Sequence, residues 1–444
     1  MIKAVLFLIL VLFAGGCMRV DTNPRPIFNE VQEDVAYLTG QNIAWDDEIK
    51  SSIDSLLQEE LTDESAVKIA LLNNQNLQAA YESLGIAQAE LAQAGLLKNP
   101  IFSLAYRFST KSNVTDLIDM SLLQNFLEIL LIPLKKKMAQ AELEASKAML
   151  MTKILDVIAA TKIAFYRLQA TREIWNLKKK VLLATELSYE AAQRLFDAGN
   201  IKDLEVSMER SLYEQTKLEV ASLEIGVLEG REQLNILMGL WGDQIGWTVA
   251  PFLPTIPPKE EDFKNIENEA IARSIDLRVV SKGLLATAAK FGIDTTKIVF
   301  PQFDVGVSSE RDDNVWYVGP AFNLPIPLFD FGQANGAKAR AKIMQEWNRY
   351  TALAVEIRSK ARSARFSLLN AFRQSQYLEK VIIPLAEQIT YSTLLQHNAM
   401  QLGIFHLLSA KQRELEKKIQ HVEMEREYWI SKVILQTLLD GHAL

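Results

Sequence analysis

Four histidines and one cysteine are the residues of this chain best suited to metal or nucleophilic chemistry, and their spacing supports neither. His397, His406, His421 and His442 form no i, i+4 ligand pair and have no carboxylates gathered beside them at metal-site spacing. His406 reads as a solvated turn residue. Cys17 stands alone, so a single chain can build neither a disulfide framework nor a thiolate metal site. A Gly-rich phosphate loop and the Gly-x-Ser-x-Gly nucleophile turn are both missing. Glu142 with Glu144, and Glu414 with Glu416, are spread along helical stretches and suit an exposed face better than acid–base work. The expectation is a chain that is not an enzyme, with no catalytic residue, no metal site and no cofactor.

The position of Cys17 carries more than its isolation does. Lys3 gives a basic start, Val5 to Phe13 an apolar stretch, and Ala14-Gly15-Gly16 the small residues of a cleavage region, which predicts a signal peptide over residues 1–16. Small residues followed at once by cysteine resemble bacterial lipoprotein processing, with Ala14 where that pattern carries a larger aliphatic residue. Cys17 is the expected lipidation site, and outer-membrane lipid an expected partner.

After the first seventeen residues no apolar run reaches the roughly 20 residues that a spanning helix needs. A membrane crossing would have to use strands closed into a barrel. The formal net charge is −7, and Lys135-Lys136-Lys137 and Lys178-Lys179-Lys180 are the notable basic runs. Nucleic-acid binding would need a basic balance with clustered aromatics, so no nucleic-acid partner is expected.

The chain repeats itself once, at an offset of roughly 200 residues. Ala70 to Leu77 aligns with Ala270 to Leu277, Asn99-Pro100 with Phe300-Pro301, and Ile132-Pro133-Leu134 with Ile326-Pro327-Leu328. Gly199 and Gly403 then each end a long helical stretch, with Leu204 and Leu408 shortly after, and glycine suits such ends because it accepts positive φ. The domain reading is a signal peptide (1–16), an N-terminal tether and equatorial segment (17–62), a first repeat (63–240), a Pro-rich linker (241–264) and a second repeat (265–440). The tether, irregular from Met18 to about Asp47, is headed by Asn23-Pro24-Arg25-Pro26.

Each repeat carries two strand candidates between helices. Phe102, Leu104, Tyr106 and Phe108 alternate with Ser103, Ala105 and Arg107, and Phe303, Val305 and Val307 alternate with polar or small residues. Trp316, Val318, Phe322 and Leu324 share one face of a third candidate; the fourth, Leu117 to Leu127, alternates poorly and is assigned by symmetry. Leu134 to about Ala198, and Gly332 to about Leu402, predict two helices of coiled-coil length, the second bent at Pro384. Asp203 to about Leu240 and His406 to about Leu439 return from two tight hairpins.

The ordered set of these features resembles the TolC-like outer-membrane efflux proteins over nearly the whole mature chain. It rests on Asn99-Pro100, Phe300-Pro301, Pro325-Ile326-Pro327-Leu328-Phe329-Asp330-Phe331-Gly332, Arg194-Leu195-Phe196-Asp197-Ala198-Gly199 and Gln401-Leu402-Gly403. The first repeat departs from it, with Lys135-Lys136-Lys137 where the second has Phe-Asp-Phe-Gly. The resemblance implies a mainly α protein with four strands per protomer in a shared twelve-stranded β-barrel, continuous with a periplasmic α-barrel. It implies a homotrimer that meets a periplasmic adaptor protein and an inner-membrane pump. Arg194, Gly199, Leu402 and Gly403 become adaptor-docking candidates, and Asp197 and Asp203 candidates for the tunnel aperture. Gly199 and Gly403 also read simply as helix caps. The alternative is a periplasmic coiled-coil scaffold or adaptor without a barrel, against which the paired strand candidates weigh.

Overall fold

The computed structural model describes residues 23–40, 49–110, 114–259, 263, 265–299, 302–324, 326 and 328–444. The signal peptide and Cys17 lie outside the described residues, as do Phe300, Pro301, Pro325 and Pro327. The elements in chain order are α1 (Arg25–Thr39), α2 (Ile49–Gln58), α3 (Asp63–Asn73), α4 (Gln75–Ala94), β1 (Ile101–Arg107) and β2 (Leu117–Asn125), followed by α5 (Phe126–Asp197) and α6 (Asp203–Met238). The second half brings α7 (Ile266–Arg273), α8 (Ile275–Val299), β3 (Asp304–Asp312), β4 (Val315–Asn323), α9 (Gln333–Tyr377), a π-turn (Leu378–Ile382), α10 (Ile383–Asn398) and α11 (Ile404–Leu439). The protein is mainly α, and both halves run helix, two strands, long helix, hairpin, helix. Among the described residues no helix is long and apolar enough to cross a membrane.

Two units divide the chain, one of residues 1–31, 80–150 and 277–352, the other of residues 32–79, 151–276 and 353–444. In the first unit the strands form one antiparallel sheet in the order β1-β2-β3-β4, so the two repeats meet where β2 pairs with β3. The weakly alternating fourth candidate is β2, an inner strand whose residues are all half-buried. Gly306 of β3 approaches β2 so closely that a Cβ there would stand 1.9 Å from the Leu122 carbonyl oxygen. That contact excludes any larger residue.

The long helix of the first repeat starts eight residues before the expected Leu134, at Phe126, and carries Pro133 inside it. Its 72 residues correspond to ~108 Å at the α-helical rise. The early start has two local causes. Asn125 caps it, its Oδ1 accepting from the Glu128 backbone N–H at 3.0 Å. Leu127 and Leu131 are buried against Ile293 of α8. Proline removes only one hydrogen bond here, which that burial outweighs. The Asn-x-x-Glu spacing is a helix-start signature the sequence displays openly.

The expected irregular stretch after Met18 is in part α1, a correction with a legible cause. Ile27, Val31, Val35 and Leu38 recur at helical spacing, and Pro24 and Pro26 sit at the helix entry, where a missing donor costs little. Phe28 packs edge-on to Tyr81 at 6.0 Å between ring centroids, and Glu30 pairs with Lys147 at 2.7 Å.

In the second unit each repeat closes on itself by the same device. Asn74 and Ser274, 200 positions apart, break the helix pairs α3–α4 and α7–α8 with ψ of 112° and 113°. The last helix of each repeat then ends against that break through a glycine of positive φ, Gly239 (66°) and Gly441 (108°). A Cβ on either would meet the carbonyl oxygen of Asn73 or Arg273 at 2.5 Å. Among its described residues the Pro-rich segment between the repeats holds no α-helix, and it is fastened down. Trp247 is buried, donates its indole N–H to Asn235 Oδ1 at 2.8 Å and carries the Arg231 guanidinium over its ring, while Trp429 donates to the Pro254 carbonyl at 2.8 Å.

Candidate functional site

The expected tip residues fall in two helical hairpins of the second unit. Lys178 of α5 pairs with Glu219 of α6 at 2.7 Å, and Ser188 donates to Glu209 at 2.8 Å, so the first hairpin is antiparallel with its turn at residues 198–202. Asn200 N–H donates to the Leu195 carbonyl and Gly199 N–H to that of Phe196, both at 2.8 Å, satisfying carbonyls the helix end leaves open. This ending needs a left-handed residue, which Gly199 supplies at φ +74°. Arg194 reaches back to Glu190 at 3.6 Å but is mostly exposed. Asp197 closes α5, Asp203 opens α6 in the favourable first turn, and both are exposed.

The second hairpin uses the same bonds on different residues. Gln401 N–H donates to the Gln396 carbonyl at 2.9 Å and Met400 N–H to that of His397 at 2.8 Å. The left-handed position is therefore Met400, at φ +57°, and not Gly403. Gly403 is extended (φ −71°, ψ 161°) and caps the start of α11, as Lys202 does for α6. The sequence pairing of Gly199 with Gly403 is thus off by three residues: Gly199 corresponds to Met400. Glycine content misled the alignment because methionine tolerates the strained position at a cost. His397 Nδ1 lies 3.0 Å from the Leu402 carbonyl and bridges the turn. Leu402 and His406 line a groove of about 440 Å³ between α10 and α11, together with Leu385 and Ile389.

Pro384 lies at the start of α10, directly after the π-turn. The widened turn accommodates a residue that cannot donate, so the expected disturbance of the long helix takes that form.

The sheet of the first unit has two unlike faces. By register Ser103, Ser121, Ser308 and Gly319 form one row, and Ala105, Asp119, Glu310 and Tyr317 the next. Asp304 and Asp312 belong to the same face, which Arg107 joins through a 3.0 Å pair with Asp119. The opposite face carries Phe102, Leu104, Met120, Leu122, Val307, Trp316, Val318 and Phe322, and its β1, β3 and β4 residues are largely exposed. Among the described residues the outer edges of β1 and β4 have no strand partner.

Where strands meet helices, one carboxylate joins three junctions. Glu128 is 8% exposed, accepts from Lys98 at 3.2 Å and Lys297 at 3.1 Å, and contacts Lys135. Burial works against its charge, yet hydrogen bonds from Lys135, Lys297 and Lys98 outweigh that and hold its carboxyl at about 2. Sequence reasoning passed over Glu128 because its partners are 30, 7 and 169 residues away. A second, half-buried polar cluster ties down the C-terminus. His442 Nδ1 lies 2.8 Å from Asp276 and Nε2 2.9 Å from Asp156, and the Ala443 N–H donates to Asp276. Among the described residues no group of three or more His, Cys, Asp or Glu side chains converges so as to hold a metal ion.

No protein-family model matches the sequence. A curated relative, the cobalt-zinc-cadmium resistance protein CzcC of Cupriavidus metallidurans, is 21% identical over 373 residues, 82% of this chain and 86% of CzcC. Among solved structures, CusC, described for conformational changes accompanying folding and transmembrane channel formation, superposes with a TM-score of 0.70 at 12% identity, over 86% of this chain and 93% of its own. The outer membrane protein VceC of Vibrio cholerae gives 0.67 at 16% identity, over 88% and 97%. The open-state MtrE outer membrane channel of Neisseria gonorrhoeae gives 0.68 at 17%, over 85% and 89%. The fold is that of the TolC-like outer-membrane channels.

Proposed function

We propose that the chain is one protomer of a homotrimeric outer-membrane efflux channel, which passively conducts what an inner-membrane pump and a periplasmic adaptor deliver. The sheet carries this reading: four strands, two unpaired edges, one exposed apolar and aromatic face, one polar face. Four strands cannot close around a pore. Three copies supply twelve, pair every edge, and turn the apolar faces to lipid and the polar faces to a lumen. The likeness to CusC, VceC and MtrE supports it, and the helices continue the conduit into the periplasm. The chain is exported and Cys17 carries a lipid. Arg194, Gly199, Leu402 and Gly403 dock the adaptor, and Asp197 and Asp203 border the aperture. The Leu402 groove supports the docking part, since it offers apolar surface at a hairpin end.

The cargo is a metal cation. The name of CzcC points to cobalt, zinc and cadmium, and the polar face of the sheet carries the accessible Asp119, Glu310 and Asp312 against Arg107. Such an excess favours cations in a narrow lumen. In outer-membrane fractions the chain is expected as a heat-modifiable trimer, and deletion of its gene is expected to sensitise cells to divalent metals. A soluble periplasmic pool without trimers overturns the channel. Unchanged metal sensitivity beside raised drug sensitivity overturns the cargo.

A further inference from the structure

The cleft between α8 and α9 has a chemistry that conduction does not require. It encloses about 410 Å³ and is lined by Lys290, Lys297, Lys338 and Lys342, with Thr287 and Asn335 as neutral hydrogen-bonding groups. Asp294 is the one carboxylate among the described lining residues. Lys297 is committed to Glu128 at 3.1 Å, a carboxylate that also holds Lys98 and Lys135 and so leaves two positive charges in excess. Lys290, Lys338 and Lys342 have no ion-pair partner among the described residues.

The surroundings extend the same field. Lys98 together with residues 126–142, 287–299 and 328–342 brings nine basic residues against four carboxylates, in a chain of formal net charge −7. All of these stretches adjoin the strands. α5 begins at the residue after β2, and α8 ends five residues before β3. Lys297 stands in the last turn of α8, nearest β3, with Lys290 about two turns further from it; Lys338 stands in the second turn of α9 and Lys342 about one turn further on. A polar headgroup layer extends roughly 5–8 Å beyond each side of the hydrocarbon, and lysine stems reach several ångströms further toward it.

We propose that this cleft binds the phosphate-bearing headgroup of an anionic phospholipid in the leaflet bordering the periplasm. Three ammonium groups without an ion-pair partner, against the single carboxylate of Asp294, repel the cationic cargo and attract a phosphate. Thr287 and Asn335 can donate to phosphate oxygens, and in the outer-membrane reading the exposed apolar side chains of the strands are what the acyl chains would meet. The proposal rests on the outer-membrane reading above. Three lysines beside an anionic headgroup correspond to a roughly hundredfold preference over a zwitterionic lipid at low to moderate salt.

The test uses the full chain purified from membranes in neutral detergent, with retained lipids counted by native mass spectrometry. Phosphatidylglycerol is expected to be held roughly a hundredfold more tightly than phosphatidylcholine, and less tightly as salt rises. The triple variant Lys290→Gln, Lys338→Gln, Lys342→Gln is expected to lose that preference, and the triple Lys→Arg variant to keep it. Equal retention of the two lipids overturns the proposal, as does undiminished phosphatidylglycerol binding by the Gln variant. Displacement of phosphatidylglycerol by an equal concentration of inorganic phosphate makes this a free-phosphate site and overturns the lipid assignment. Weakened trimers of the Gln variant in lipid-free detergent, with lipid binding intact, assign the lysines to a second copy instead. Fractionation separates the two readings. A wild-type chain missing from the outer membrane sinks the channel, whereas a membrane-resident chain indifferent to headgroup charge sinks only this site.

Discussion

Met400 occupies the left-handed region at φ +57° and is 95% exposed, so nothing around it offsets the crowding between its Cβ and the following carbonyl. Glycine removes that crowding, a gain of about 1 kcal/mol. Met400→Gly is expected to raise the thermal midpoint measured by calorimetry, and Gly199→Ala to lower it by a comparable amount. If both shifts are absent, the left-handed assignment of the two turns is wrong. Gly403 behaves differently. Its φ is ordinary, and the nearest atom to a Cβ added there would be His406 Nδ1, at 4.0 Å. Gly403→Asp is therefore expected to leave trimers and abundance unchanged while abolishing efflux; transport at the wild-type level would remove this turn from the docking surface.

At the scale of elements, the end of each repeat is set by a glycine pressed onto a helix break. Gly239→Ala and Gly441→Ala combine a positive φ with a 2.5 Å approach to backbone oxygen, so each is expected to cost more than the roughly 1 kcal/mol of the conformation alone. Denaturant midpoints with unchanged slopes would check this. Beyond Gly441, His442 fastens the chain end to α8 and α5. Burial lowers its affinity for a proton, but the hydrogen bonds and charges of Asp156 and Asp276 prevail and carry it up to about 9. A raised folded value means the stabilisation is fully present below the unfolded value near 6.5 and fades as pH rises through 9. Its size is at most about 3 kcal/mol. Unfolding measured from pH 6 to 10 is expected to show that loss, and His442→Gln to flatten it.

For the whole molecule, the two faces of the sheet make opposite demands on the same substitution. Leu104→Arg places a charge on the apolar face, at a cost of about 2–4 kcal/mol if that position lies near the middle of a bilayer. Heat-modifiable trimers are expected to disappear with it, whereas Ser121→Arg on the polar face is expected to leave them intact. Equal effects from both would mean that neither face meets lipid. The lysine-rich helical turns beside the strands fit the same arrangement, because they place positive charge where apolar surface ends.

The repeat, the mainly α character and three of the strands were legible in the sequence, because period-two and helical spacing are local properties of neighbouring residues. Asn125 with Glu128, and the apolar stripe from Ile27 to Leu38, were equally local signals, obscured by the prolines beside them. Other features depended on tertiary structure for a physical reason: their partners are distant along the chain. Glu128 acquires its depressed carboxyl only when Lys98, Lys135 and Lys297 meet it, and Gly441 becomes obligatory only when it lands on Arg273. The residue types around the hairpin turns suggested that Gly199 and Gly403 were equivalent. Backbone hydrogen bonding decided for Met400, since a helix end is defined by which carbonyl each N–H reaches and not by where glycine happens to stand.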